Sequence, residues 1–301
     1  MPMSVIVASA QYPISQHVDL AGWQRHIENW VADAAASGAG LLLFPEYGAM
    51  ELVSILSLDI QQDIFLQVAA MDGFVESFCQ IFADLARQYN VVIVAPSLPV
   101  IDDGKHHNRV FVFSNKGLVG YQDKFFMTRF ENEEWGIQSA PKVLTVFEAA
   151  WGKFGIQICY DIEFGLGSQL LCSAGASLIL VPSCTETIRG ATRVHVGARA
   201  RALENQAYTA VSQTVGNATW SPAVDINYGY AAYYSTPDRG LPEEGIIAAE
   251  IPQKEGWLVQ ELDFSKIDEV RQDGHVLNFN DQQRITVEMR SEQVHVLHVT
   301  I

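Results

Sequence analysis

The chain has 301 residues, 49% hydrophobic and 18% charged, enough to bury a large core and far from the composition of a disordered segment. A formal net charge of −16 and a pI near 4.8 disfavour nucleic acid, phosphate-rich partners and anionic membrane surfaces. The four cysteines, Cys79, Cys159, Cys172 and Cys184, form neither a CxxC pair nor a dense disulfide pattern, and no run of about 18 apolar residues or basic, signal-like N-terminus is present, so a soluble cytoplasmic protein is expected.

Residues 4–11 (SVIVASAQ) read as a first strand, and Asp19 is placed to cap a helix carrying Trp23, Ile27, Trp30 and Ala34 on one face. Ser37, Gly38 and Gly40 end it, and the all-apolar stretch 41–44 follows as a buried strand, completing a βαβ unit. At its tip stands Pro45-Glu46-Tyr47-Gly48, a carboxylate on a rigid turn where a parallel sheet offers its ligand crevice. Phe65, Val68, Ala69, Phe78, Phe82 and Leu85 recur at helical intervals over 63–89, with a break expected at Gly73, and 91–95 (VVIVA) is another buried strand. Asn115-Lys116-Gly117 between RVFVFS and LVGY predicts a hairpin, which brings antiparallel pairing into the sheet. Residues 123–140 (DKFFMTRFENEEWGIQSA) are dense in charge and aromatics without a period, as suits a loop that lines a site.

A second hairpin is predicted from 143–148 and 153–158, turning at 149–152. In its second strand Phe154, Ile156 and Ile158 alternate with Gly155 and Gln157 and lead directly to Cys159, so a thiol stands at a strand end, ahead of Tyr160, Asp161 and Glu163. A short helix over 168–173 and a buried strand over 178–181 ending at Pro182-Ser183-Cys184 come next, then a helix over 192–205 with Val196, Ala200 and Leu203 on its apolar face. Arg193, Arg199 and Arg201 on that helix are read as partners in structural ion pairs. Strands are expected at 208–214, 245–250 and 257–263, a long ordered loop near the site over 217–241, and two β segments in the tail 284–301, divided near Arg290 and Ser291. With no internal repeat and no linker, 1–301 reads as one domain, its C-terminal segment 264–301 expected to pack on a partner subunit.

Glu46, Lys124 and Cys159 are the side chains with chemistry at strand ends or on the charged loop. A thiol is mostly protonated at neutral pH, a carboxylate in reach can take its proton during attack, and an ammonium can stabilise the oxyanion that attack on a carboxamide creates. This ordered set resembles the nitrilase, or carbon-nitrogen hydrolase, superfamily across nearly the whole chain: LLLFPEYG around the glutamate, GYQDKFFMTRFENEEWG around the lysine, GIQICYDIEF around the cysteine, then LILVPSCTET and RARALENQAY. The resemblance implies an α/β fold in four layers, an α-β-β-α sandwich with two mixed β-sheets face to face, and a homodimer or larger homo-oligomer. It implies a thiol hydrolase of a non-peptide carbon-nitrogen bond in a small amide or carbamoyl compound, working through a thioester; Cys159-Tyr160-Asp161 is similar to the amidase and carbamoylase branches. Nitrile hydrolysis, acyl transfer to a soluble amine and a non-catalytic scaffold are the alternatives. Members carry a second glutamate after the lysine, for which Glu131, Glu133 and Glu134 compete; Glu133 is favoured because Glu133-Glu134-Trp135 resembles the family's pattern. Tyr160, Glu134 and Cys184 are expected at the substrate, and Gly165, where many relatives have proline, should loosen the turn after the nucleophile. Cys79 and Cys172 are read as core, and the lack of metal-ligand spacing among His106, His107 and His195 leads to an expectation of no metal and no cofactor.

Overall fold

The computed structural model describes residues 3–290 and 296–300. Strand β1 (Ser4–Pro13) is central to the topology. Between Ser4 and Gln11 it pairs antiparallel with β14 (Gly256–Asp263), and on its other edge Val7–Ser9 pairs parallel with β2 (Leu41–Leu43). Outward from β2 come β3 (Val92–Val94, parallel), then β5 (Lys105–Ser114, antiparallel), which also pairs with β4 (Leu98–Asp102) and β6 (Gly117–Asp123). The second sheet runs β7 (Phe147–Ala149), β8 (Gly152–Ile156), β9 (Leu178–Ser183), β10 (Tyr208–Asn217), β12 (Ala232–Tyr234) and β13 (Ile246–Ala249), with β11 (Ile226–Asn227) on the end of β10. The last residues of β1 join the two sheets by pairing Gln11 with Gln213 and Pro13 with Val215 of β10.

Side-chain alternation makes the layers. Val5 and Val7 of β1, Leu41 and Leu43 of β2, and Val110 and Val112 of β5 face inward onto Phe154, Ile156, Leu180, Tyr208 and Tyr233 of the other sheet. The opposite faces, with Ala8, Ala10, Leu42, Phe111 and Phe113, meet α1 (Leu20–Ala36) and α4 (Val75–Tyr89). Helices α5 (Gly165–Ser173) and α6 (Ile188–Asn205) cover the outer side of the second sheet, giving the four α-β-β-α layers. α1 forms because Asp19 accepts from Gly22 N at 2.7 Å and Trp23, Ile27, Val31 and Ala34 fall on one buried stripe. Short α2 (Leu58–Gln61) and α3 (Ile64–Met71) precede α4, which a turn at Asp72–Phe74 separates from α3, and α7 (Phe264–Asp273) and α8 (Asn278–Arg290) close the described chain.

Four expectations are corrected. On α6 the buried stripe is Ala191, Val194, Ala198 and Ala202, while Val196 and Leu203 are exposed, because the helix presents its small residues to the sheet and to the cysteine's turn. The tail up to Arg290 is the helix α8 and not a strand, packed against α6 with Gln282 Nε2 on Asn205 Oδ1 at 3.0 Å. The break proposed at Ser291 lies outside the described residues. The segment 217–241 contains β11 and β12 and is therefore not one loop. Arg193 and Arg201 pair with Glu163 and Glu204, whereas Arg199 donates to the Glu244 carbonyl.

Candidate active site

Each of the three candidate side chains follows the carboxyl end of a strand. Glu46 lies just past β2, and its turn is held by Tyr47 N on Ser97 Oγ at 2.9 Å and by Thr214 Oγ1 on the Glu46 carbonyl at 2.7 Å. Lys124 directly follows β6, its N–H on the Asn108 carbonyl at 3.0 Å. Cys159 follows β8 and opens a 3-10 turn, Cys159–Glu163. Both Tyr47 and Cys159 sit in the left-handed region, at φ 54° and 47°, a conformation that sparsely populated backbone adopts only where its surroundings impose it. The structure thus brings Glu46, Lys124 and Cys159 into one buried cluster.

Lys124 Nζ lies 2.7 Å from Glu46 Oε1 and 2.6 Å from Glu131 Oε2. Asn108 Nδ2 donates to Glu46 at 2.9 Å and to Glu131 at 3.3 Å. Glu131 also accepts from Tyr47 OH at 2.8 Å and from Thr128 N and Oγ1, both at 2.9 Å. The second oxygen of Glu46 accepts the Cys184 N–H at 2.9 Å, and the Cys159 thiol donates to the Cys184 carbonyl oxygen at 3.5 Å, so the same residue ties the carboxyl and the thiol together, and the Glu46 charge acts on the thiol's proton. Asp161 ties the cysteine's turn to the lysine's loop by accepting from Phe125 N at 3.2 Å and Phe126 N at 2.8 Å. Phe126 stacks on Phe164 at 4.0 Å and Tyr160 meets Phe164 edge-on, forming an aromatic wall beside the thiol's turn.

The environment separates the two carboxyls. Burial raises Glu46, and Glu131's charge adds to the rise, while Lys124 only partly offsets it. Burial would raise Glu131 as well, but Lys124, the Thr128 N–H and the Tyr47 hydroxyl outweigh it and hold that carboxyl below its ordinary range. Lys124 keeps its proton because Glu131 and Glu46 overcome the desolvation that burial imposes on the ammonium. Burial, then the charge of Glu46, pushes the Cys159 thiol well up, so the resting thiol is neutral. One carboxyl is thereby a permanent anion and the other can exchange a proton.

The glutamate beside Lys124 is Glu131, not Glu133. Glu133 and Glu134 are exposed, and Glu133 pairs with Arg129 at 3.0 Å on the surface. A π-helical turn, Phe130–Glu134, closed by Trp135 N on the Phe130 carbonyl at 3.1 Å, sends Glu131 inward and its two neighbours out. A sequence signal for this exists: Thr128-x-x-Glu131 is a capping box, and its reciprocal bonds, Glu131 N to Thr128 Oγ1 and Thr128 N to Glu131 Oε2, are both formed. Glu134 stands away from the cluster, Tyr160 is half-buried on the aromatic wall, and Cys184 contributes its backbone while its thiol turns to Asn227 Oδ1 at 3.1 Å. Asn108, Tyr47, Thr128 and Asp161 are site residues that sequence reasoning passed over.

Comparison with known proteins gives a consistent family. The pattern described as Carbon-nitrogen hydrolase matches residues 6–272. The chain is 32% identical over 280 residues to the probable hydrolase YhcX of Bacillus subtilis, covering 93% of this chain and 54% of that protein. It is 28% identical over 203 residues to omega-amidase NIT3 of Saccharomyces cerevisiae, covering 64% and 66% of the two chains. The chain therefore spans about half to two thirds of the length of these relatives. Among solved structures, a carbon-nitrogen hydrolase from Helicobacter pylori superimposes with a TM-score of 0.77 at 17% identity, covering 96% of this chain and 98% of that one. Crystalline Nit3 of Saccharomyces cerevisiae, described as a member of branch 10 of the nitrilase superfamily, does so with 0.70 at 22% identity, covering 89% and 93%. At these identities the structures speak to fold alone.

Proposed function

The chain belongs to the carbon-nitrogen hydrolase family, and from that premise we propose an amidase-like enzyme that cleaves the carbon-nitrogen bond of a small non-peptide amide through a thioester on Cys159. The observation that supports the reading is the buried Glu46 carboxyl, 2.7 Å from the Lys124 ammonium on one oxygen and accepting on the other the N–H of Cys184, whose carbonyl meets the Cys159 thiol, with its proton affinity raised by burial. As the sulfur attacks the carbonyl carbon, the thiol proton passes to Glu46, a step of the kind that contributes about 10²–10⁴-fold. Negative charge then develops on the carbonyl oxygen, where the Lys124 ammonium and the backbone N–H of Tyr160 meet it; one such donor is worth about 2.7–4 kcal/mol. Glu46 returns the proton to the departing nitrogen, leaving acyl-Cys159 and free ammonia or amine. Water enters, gives a proton to Glu46 and attacks the thioester; the acid leaves and the thiol recovers its proton.

Glu131 serves this cycle as a positioning residue. Held ionised by five hydrogen-bond donors, it keeps Lys124 charged and aimed while Glu46 changes state. The omega-amidases among the relatives support amide substrates for this chain. Free cysteines at all four positions support a reducing, cytoplasmic setting, and the exposed Leu166 and Leu170 of α5 and Val196 of α6, on two helices that pack together, support a homodimer formed through that helical layer. The test is to incubate the chain with a panel of small amides, nitriles and carbamoyl compounds, quench in acid and weigh the Cys159 peptide. An acyl adduct with one amide and ammonia release, both absent in Cys159→Ala, are expected; turnover unchanged in Cys159→Ala rejects the mechanism.

A further inference from the structure

A second polar cluster stands apart from the bonds of the Glu46–Lys124–Cys159 centre. His17 lies in the connection between β1 and α1, His26 on α1, and Glu51 in the 3-10 helix Gly48–Ile55 that continues from the Glu46 turn. His17 Nε2 is 3.4 Å from Glu51 Oε2 and His26 Nε2 is 3.8 Å from Glu51 Oε1, and the ligand-type atoms of the three residues all lie within 4.8 Å of one another. Both imidazole Nε2 atoms are buried without a hydrogen-bond partner, and the His17 side chain is only 9% exposed. Unpaired buried donors or acceptors are uncommon, and two converging on one fully buried carboxylate call for a physical reason.

The separations supply it. They exceed the 2.7–3.2 Å of an N–H···O hydrogen bond. Four-coordinate zinc takes nitrogen and oxygen ligands at about 2.0–2.2 Å, which spaces the ligand atoms roughly 3.3–3.6 Å apart around a tetrahedron. Glu51 is oriented as a metal-bound carboxylate is, by outer donors: Tyr12 OH on Oε2 at 2.6 Å and Ser15 N on Oε1 at 2.7 Å. The geometry points to a site for one divalent first-row transition-metal ion, Zn²⁺ best matching two nitrogens and one oxygen, held by His17 Nε2, His26 Nε2 and the Glu51 carboxylate with a fourth position for water. Access is from the His26 side, 24% exposed and bordering a cleft of about 670 Å³ that also displays Asp33 and Glu255. The ion would brace the β1–α1 connection against the helix that follows Glu46, with no part in the chemical steps. This departs from the expectation of no metal, which weighed only His106, His107 and His195.

The probe is Co²⁺, whose visible bands report four-coordinate geometry. The chelator-stripped full chain, in the Cys159→Ala background so that the nucleophile cannot take the ion, is titrated with CoCl₂ while absorbance is followed. We expect saturable binding of one equivalent, tetrahedral bands without a thiolate charge-transfer band, and displacement by Zn²⁺. His26→Ala should weaken binding by more than about 100-fold, beyond the 10–100-fold typical of losing an outer partner; His26→Gln serves if that variant does not fold. Absence of saturable binding, or binding unchanged in the folded His26 variant, overturns the assignment.

Discussion

Replacing Glu131 by Gln is the sharpest perturbation of this site. All of its neighbours donate: Lys124 Nζ at 2.6 Å with Thr128 N and Oγ1 on one oxygen, Tyr47 OH and Asn108 Nδ2 on the other. An amide keeps one acceptor, and its NH₂ must face donors in either orientation; the better one points it at Tyr47, whose hydroxyl can turn to accept. The hydrogen bond to Lys124 then survives, but one of the ammonium's two carboxylate partners is lost, leaving Glu46 at 2.7 Å. Breaking one side of a buried ion pair costs about 3–5 kcal/mol, and with a hydrogen bond retained we expect about 3 kcal/mol in urea unfolding at pH 7. Lys124 loses its fixed aim, so kcat for ammonia release should fall on the scale of one lost oxyanion donor, about 10²–10³-fold. Because Glu131's charge contributes to raising Glu46, its removal should also move the acidic limb of the kcat/KM profile to lower pH, a shift that a merely structural role would not produce. Glu133→Gln is the control: it loses only a solvent-exposed contact with Arg129 and should match the parent in stability and rate. Equal effects of the two substitutions, or loss of activity only in Glu133→Gln, would refute the assignment.

Lys124→Met leaves Glu46 and Glu131 without their cation; we expect about 3–5 kcal/mol less stability at pH 7, partly regained at pH 5 as the carboxyls protonate, and urea midpoints at the two pH values check it. Burial pushes the Asp161 carboxyl up to about 7 against the pull of Lys124 and two N–H groups. For a raised acid, the stabilising contribution is present below the ordinary carboxylate range near pH ~4 and lost as pH rises through about 7. Asp161→Asn keeps an acceptor for the Phe126 N–H and should gain on the parent steadily between those limits; parallel stability curves would contradict this. On α6, a Cβ at Gly197 would come within 2.9 Å of the Ile162 carbonyl oxygen, backbone of the cysteine's turn. Gly197→Ala should therefore destabilise by about 1–3 kcal/mol and lower kcat through displacement of Cys159, with circular dichroism melts and ammonia release as the readouts.

Much of this molecule is written locally. Leu41–Leu43 and the first four residues of β9, 178–181, are continuous apolar runs, Asp19 caps its helix within its own turn, and Glu46, Lys124 and Cys159 stand where strands stop. Short-range sterics, capping and hydrophobic periodicity suffice for the elements, so their alternation was available from the sequence, and the motifs around Glu46, Lys124 and Cys159 singled those three out as candidates through their resemblance to a family. Which glutamate joins the lysine was not settled by spacing, because Glu131, Glu133 and Glu134 sit within one turn and only the π-helical geometry turns the first inward. Nor was the face of α6, where Val196 looks like core but Ala198 and Gly197 fit beneath the turn that carries the thiol. His17, His26 and Glu51 look unrelated along the chain and meet only when α1 and the 3-10 helix pack on one sheet. Proton affinity, ion-pair strength and metal affinity depend on what surrounds a charge in space, and that is decided when distant segments exclude water together.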